Sequence, residues 1–237
     1  MKVLLDVDFA SSGQASLPSN YLIWRTTMTE TNQQNVKEAV RAAVKSGADV
    51  HQQVRDITLK ALTTGQLDMD NIKNVTEAVG KGIDEGIAGQ DEHAKEVFAH
   101  AATALDDALA IAAEASKLAI EEAVAKVTDY SQHDLNGAIK DIRDMEGLFF
   151  DTLEKAAKGS NQLVAGIAID FIAHTRQSGT AVGKQALIAL EALKDLPKIS
   201  TDIIVSSTVA TTSALAKIGS GILLGIAESL QSSHAKK

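Results

Sequence analysis

The chain has 237 residues, of which 45% are hydrophobic but only 3% aromatic, with 37 alanines, 16 glycines, two prolines, no cysteine and a net charge of −8. The missing cysteine excludes disulfides and zinc–thiolate sites, the apolar fraction excludes wholesale disorder, and the scarcity of aromatics and turn residues argues against a β-sandwich or barrel. An acidic chain without a basic patch cannot grip a phosphate backbone, so nucleic acid is not expected as a partner.

Residues 1–27 differ from the rest. Phe9, Tyr21 and Trp24 are three of the eight aromatics, and Pro18 is one of the two prolines. Lys2 and Val3-Leu4-Leu5 resemble the start of a secretion signal, but Asp6 and Asp8 interrupt the apolar stretch. The expected location is therefore cytoplasmic. The segment reads as a flexible arm, or as an extension upstream of a start at Met28.

No proline occurs between Pro18 and Pro197, which permits long helices. Val36, Val40, Ala43, Gly47, Val50, Val54, Ile57 and Ala61 alternate steps of four and three, a heptad-like seam. A second run, Ile72 to Ile87, opens at Asp68 or Asp70 as N-cap. The third and longest extends from about Asp91 to Thr128 through Val97, Leu105, Ala112 and Ala119. Residues 130–134 mark a break, and Leu135 to Ala156 continue the pattern to Lys158-Gly159-Ser160. Ser160 is a candidate cap for a fifth helix through Leu163 to Leu193, which ends at Leu196-Pro197. Ser200 or Thr201 opens a sixth towards Leu230. No stretch alternates with period two for long. The expected fold is all-α, with five or six long antiparallel amphipathic helices in an elongated bundle or coiled-coil-like array.

Charge divides the chain. Residues 28–158 carry a net −10, whereas residues 159–237 carry +2 on few charged positions. The reading is an acidic helical region followed by a sparsely charged helical region with an apolar C-terminal helix. Residues 203–226 hold one charge, Lys217, over a length that would span a bilayer core of about 20 residues. Lys217 and the central Ser/Thr cluster oppose insertion. Ile204, Leu215, Ile218, Ile222, Ile226 and Leu230 form the stripe expected to pack or to bind a surface.

Chemistry-bearing patterns are sparse. His93, Glu96 and His100 share a helical face, as do Asp170 and His174, but the Glu-x-x-His pairs of a di-iron bundle are absent. Asp106/Asp107 and Glu121/Glu122 read as exposed charge rather than acid/base pairs. Gly80-Lys-Gly-Ile-Asp-Glu-Gly86 follows no strand and has neither phosphate-loop nor dinucleotide spacing. Gly82, Gly86 and Gly89 instead suit a close-packing face or a helix end. No serine sits in a nucleophile elbow. Neither a catalytic residue, a cofactor, a metal nor a small-molecule substrate is expected.

Ala101 to Val127, and more loosely Lys184 to Leu193, give the chain an Ala-rich helical character that resembles bacterial phasins, which coat polyhydroxyalkanoate storage granules. The chain departs from that family in its nearly uncharged C-terminal segment. The resemblance implies a non-catalytic, amphiphilic, self-associating coat on a polyester granule or lipid surface, and it transfers no functional residue. From the residues themselves two other readings stay open: a soluble homo-oligomeric scaffold, and a membrane-inserting helical protein carried by residues 203–226.

Overall fold

The computed structural model describes residues 19–64, 68–88, 93–125 and 132–194, with side-chain surroundings described from Glu30 onward except at 123 and 132–134. The described residues form seven helices and no strand: α1 (Ser19–Ser46), α2 (Val50–Thr64), α3 (Met69–Ile87), α4 (Ala94–Ala125), α5 (Gln132–Gly159), α6 (Gln162–Ser178) and α7 (Ala181–Lys194). The fold class is all-α.

Two helices expected to be continuous are broken. The seam from Val36 to Ala61 divides between α1 and α2, because Gly47 (φ +66°) and Asp49 (φ +46°) take left-handed conformations. The Gly47 N–H donates back to the Val44 carbonyl at 3.2 Å, closing α1 in a reverse turn. The heptad spacing passes through this turn in phase, with Val40 and Val54 both fully buried, so periodicity alone cannot reveal it. The second break is Gly179 (φ +81°) between α6 and α7. Its N–H donates to the Thr175 carbonyl at 2.8 Å.

The caps follow local chemistry. Asp68, not Asp70, opens α3 by accepting from the Asn71 N–H at 2.6 Å. Asn161 rather than Ser160 opens α6, accepting from the Val164 N–H at 3.0 Å. Ser160 instead donates back to the Ala156 carbonyl and bonds Asp84 of α3. At the other end of the chain, α1 begins directly after Pro18 and runs unbroken through Met28. The change in composition at residue 28 is therefore no helix boundary.

Alanine determines how the helices meet. In α4, Ala101, Ala102, Ala104, Ala108, Ala112 and Ala115 are fully buried on several sides of the helix, so neighbours close in around it. It contacts α2, α3, α5, α6 and α7, as suits a helix whose apolar surface covers more than one face. Larger side chains, including Phe98, Phe149, Leu105, Ile139 and Ile142, fill the gaps. One apolar cluster runs from Val36 to Leu193. The charge boundary near residue 158 is not a break in packing.

Glycine brings α1 and α3 closest. A Cβ on Gly82 would lie 2.6 Å from the Lys37 carbonyl oxygen and 2.8 Å from Val40 Cβ, and one on Gly86 would lie 2.6 Å from Val44 Cβ. Contacts at Val40 and then Val44 advance with Gly82 and Gly86, so the two helices run in the same direction along this seam. Their closeness matches the expected packing role of Gly82 and Gly86; Gly89 lies outside the described residues.

The last two helices follow each other along α4 and α5. Phe98 meets Phe171 edge to face with ring centroids 5.6 Å apart, and Asp106 meets Ala181, so α4 runs with them. On the other side, Glu154 pairs with Arg176 at 2.7 Å and Glu146 with Thr180 at 2.5 Å, so α5 runs against them.

Candidate functional site

The stripe expected to carry function, Ile204, Leu215, Ile218, Ile222, Ile226 and Leu230, lies outside the described residues, as does the whole segment 203–226. Among the described residues, no helix is long and apolar enough to cross a membrane. The first signs of function therefore come from α6 and α7.

Buried stripes hold these helices to the core: Val164, Ala168 and Ile172 on α6, and Val182, Ala186, Ala189 and Leu193 on α7. Their outer sides are not polar. Leu163 (46% exposed), Ile169 (61%), Leu187 (69%) and Ile188 (58%) are the exposed large apolar side chains among the described residues. All four belong to α6 and α7, whereas the described side chains of α1 to α5 turn charge outward. Scattered exposed aliphatics are ordinary, but their confinement to two consecutive helices is informative. On α6 the outer side is also smooth: Gly166 sits between Leu163 and Ile169, and a Cβ placed on it would meet nothing within 4 Å.

A polar latch fixes where this surface sits. The Asp106 carboxylate, 7% exposed, accepts from the backbone N–H groups of Ala181 at 2.7 Å and Val182 at 2.9 Å. It satisfies two donors that the first turn of α7 leaves free, and it places negative charge at the positive end of the helix dipole. Thr180 caps the same turn by accepting from the Gly183 N–H at 2.8 Å, and donates its hydroxyl proton to Glu146. Gly183 leaves room for these groups, since a Cβ would displace the Glu146 carboxylate and approach Thr180 Oγ1 at 2.6 Å. Burial pushes the Asp106 carboxyl up from its usual value, the Ala181 and Val182 N–H groups pull it back, and Asp107 and Glu146 add repulsion.

Asp106 corrects the expectation of exposed charge at Asp106/Asp107. It follows Ala102 by four residues and precedes Leu109 by three, so it interrupts an apolar stripe of α4, and that interruption is legible in the sequence. Asp107 is more open and lies 2.9 Å from His51 Nε2 of α2. Glu121 faces Lys117 at 3.6 Å, one turn back on its own helix. His93, Glu96 and His100 are exposed around the start of α4, and Asp170 and His174 on α6. Among the described residues, no three His, Asp or Glu side chains are grouped to hold a metal ion.

A second acidic group lies where α3 begins against α5. Burial pushes the Asp141 carboxyl up to about 7, with repulsion from Asp144, Asp68 and Asp70 adding to it and Lys140 opposing it. Its consequence is a pH dependence of stability.

No curated protein and no solved structure matches the chain. The model of a family described as a family of unknown function, DUF6781, matches residues 26–232, and the chain belongs to that family.

Proposed function

We propose that the protein is a non-enzymatic, amphiphilic helical protein that coats or organises an apolar particle surface, a polyester granule or a lipid face, and associates with itself. In this reading it works in the cytoplasm, peripheral to the particle. Its helices form an elongated array, with α5 running against α4, α6 and α7 and α1 running with α3, whose small-residue seams open at low cost, because alanine and glycine bury little area each. The observation that carries the reading is the outward Leu163, Ile169, Leu187 and Ile188 on α6 and α7, in the sparsely charged part of the chain. The resemblance to phasins points the same way.

Flotation of the full chain with polyhydroxyalkanoate granules and, separately, with phosphatidylcholine vesicles tests the reading. Recovery with granules alone identifies polyester as the surface, and recovery with both identifies a general apolar surface. Recovery with neither refutes the coat. Carbonate-resistant retention in vesicles would favour insertion by residues 203–226 instead. Replacing Ile218 and Ile222 with Asp asks whether the C-terminal stripe takes part: loss of flotation with unchanged circular dichroism assigns it to the surface, and loss of helicity assigns it to the core.

A further inference from the structure

The outer side of α7 carries its own pattern. Lys184, Leu187, Ile188 and Glu191 stand at i, i+3, i+4 and i+7, and all four are exposed. That spacing is one helical face and the repeat of a coiled-coil seam, but it points away from the core. The opposite face of the same helix is already buried through Val182, Ala186, Ala189 and Leu193. Helix α7 is thus apolar on two sides, an arrangement suited to a helix covered on both.

The charges identify the cover. Lys184 and Glu191 bracket Leu187 and Ile188 symmetrically, three residues out on each side. Lay two copies of α7 against each other in opposite directions, with a two-fold axis passing between Leu187 and Ile188. The aliphatic pairs then meet at the centre, and Lys184 of each copy falls opposite Glu191 of the other. The two charges of one helix are about 10.5 Å apart along its axis, seven residues at 1.5 Å each, and antiparallel pairing matches them reciprocally. A parallel pairing in register would set Lys184 against Lys184 and Glu191 against Glu191. The stripe therefore selects one orientation and one occupant: itself, on a second copy of the chain. An isologous two-fold contact is also the commonest form of homo-oligomer.

We infer that the protein forms an antiparallel homodimer through the outer face of α7, centred on Leu187 and Ile188 and closed by reciprocal Lys184–Glu191 ion pairs. This inference supplies the self-associating half of the proposed function and leaves the α6 surface at Leu163, Gly166 and Ile169 for the particle. Four residues per copy fall well short of the roughly 800 Å² per partner of a standard interface. The dimer is accordingly weak and concentration-dependent, and crowding copies onto a particle would favour it. Glu191 already bonds Lys194 on its own helix, and its second carboxylate oxygen remains available to the facing lysine.

Sedimentation equilibrium of the full chain, without particles, tests the inference. A reversible monomer–dimer equilibrium is expected. Lys184→Glu or Glu191→Lys alone turns two attractions into two repulsions and weakens the dimer by about tenfold, given exposed pairs of ordinary strength. The double swap Lys184→Glu/Glu191→Lys restores it, which no loss of folding can mimic. Ile188→Gln, at an exposed position, abolishes it with circular dichroism unchanged. A monomer at every concentration overturns the inference, as does a dimer indifferent to the single swaps or not rescued by the double. A monomer whose stability falls on Ile188→Gln overturns it too, by assigning the stripe a cover within the chain. Because flotation reads the coat separately, a rescued dimer that never floats leaves this inference standing and removes the coat.

Discussion

Replacing Gly82 or Gly86 with alanine is the sharpest test of how this Ala-rich core is built. In an open helix the change is favourable, because glycine costs about 1 kcal/mol relative to alanine. At Gly82 the new Cβ would lie 2.6 Å from a backbone oxygen of Lys37 and 2.8 Å from Val40 Cβ. Neither atom is the free end of a side chain. Helices α1 and α3 must separate by about 1 Å to reach ordinary carbon contact at 3.5–4.0 Å, and that loosens the buried Val40 and Val44 along the whole seam. Overpacking of this kind costs about 1–3 kcal/mol, so the net expectation for each variant is a loss of about 1–2 kcal/mol after the propensity gain. Because one separation relieves both clashes, the double variant should lose less than the sum of the singles. Gly147→Ala and Gly166→Ala are the controls, since a Cβ at either would meet nothing within 4 Å, and each should gain about 0.5–1 kcal/mol. Urea denaturation followed by circular dichroism measures all five. Stabilisation by Gly82→Ala equal to that of Gly147→Ala would refute the close α1–α3 contact.

Asp106→Ala should destabilise by about 2 kcal/mol, combining a lost cap with unmet N–H groups on Ala181 and Val182, and native-state hydrogen exchange should quicken first in α7. Asp106→Asn, which keeps an acceptor, should lose less. Phe98→Ala removes the ring that meets Phe171 across α4 and α6 and should cost about 3–5 kcal/mol in the same denaturation assay. For Asp141 the folded pKa is raised, from 3.8 to about 7. Its contribution to stability is therefore full below the unfolded value and is lost as pH rises towards 7. Asp141→Asn should raise the melting temperature at pH 8 and have no such effect near pH 4; an equal effect at both would contradict a half-buried, proton-holding carboxyl.

The helical class, the length of the third apolar run and a close-packing face as one of two roles for Gly82 and Gly86 were legible from spacing and side-chain size. What periodicity could not reveal were turns that keep phase. Gly47 sits inside a perfect four-three pattern, and Gly179 lies between Phe171 and Val182, about three helical turns apart, so neither break disturbs the sequence repeat. The Asp106 latch was missed for a different reason. Read beside Asp107 it resembles surface charge, and only its place between Ala102 and Leu109 on an apolar stripe marks it as buried. The outward stripe of α7 was equally present in the sequence. Its meaning needed the structure, because spacing alone does not say which of two apolar faces the core takes.

The proposed coat is tested most directly by flotation of a Leu163→Glu/Ile169→Glu variant with polyhydroxyalkanoate granules beside the unaltered chain. Both positions are exposed on α6, so helicity and melting temperature should hold. The account predicts that the unaltered chain rises with the granules and that the variant stays behind. Equal flotation of the two, or no flotation of the unaltered chain, would contradict it.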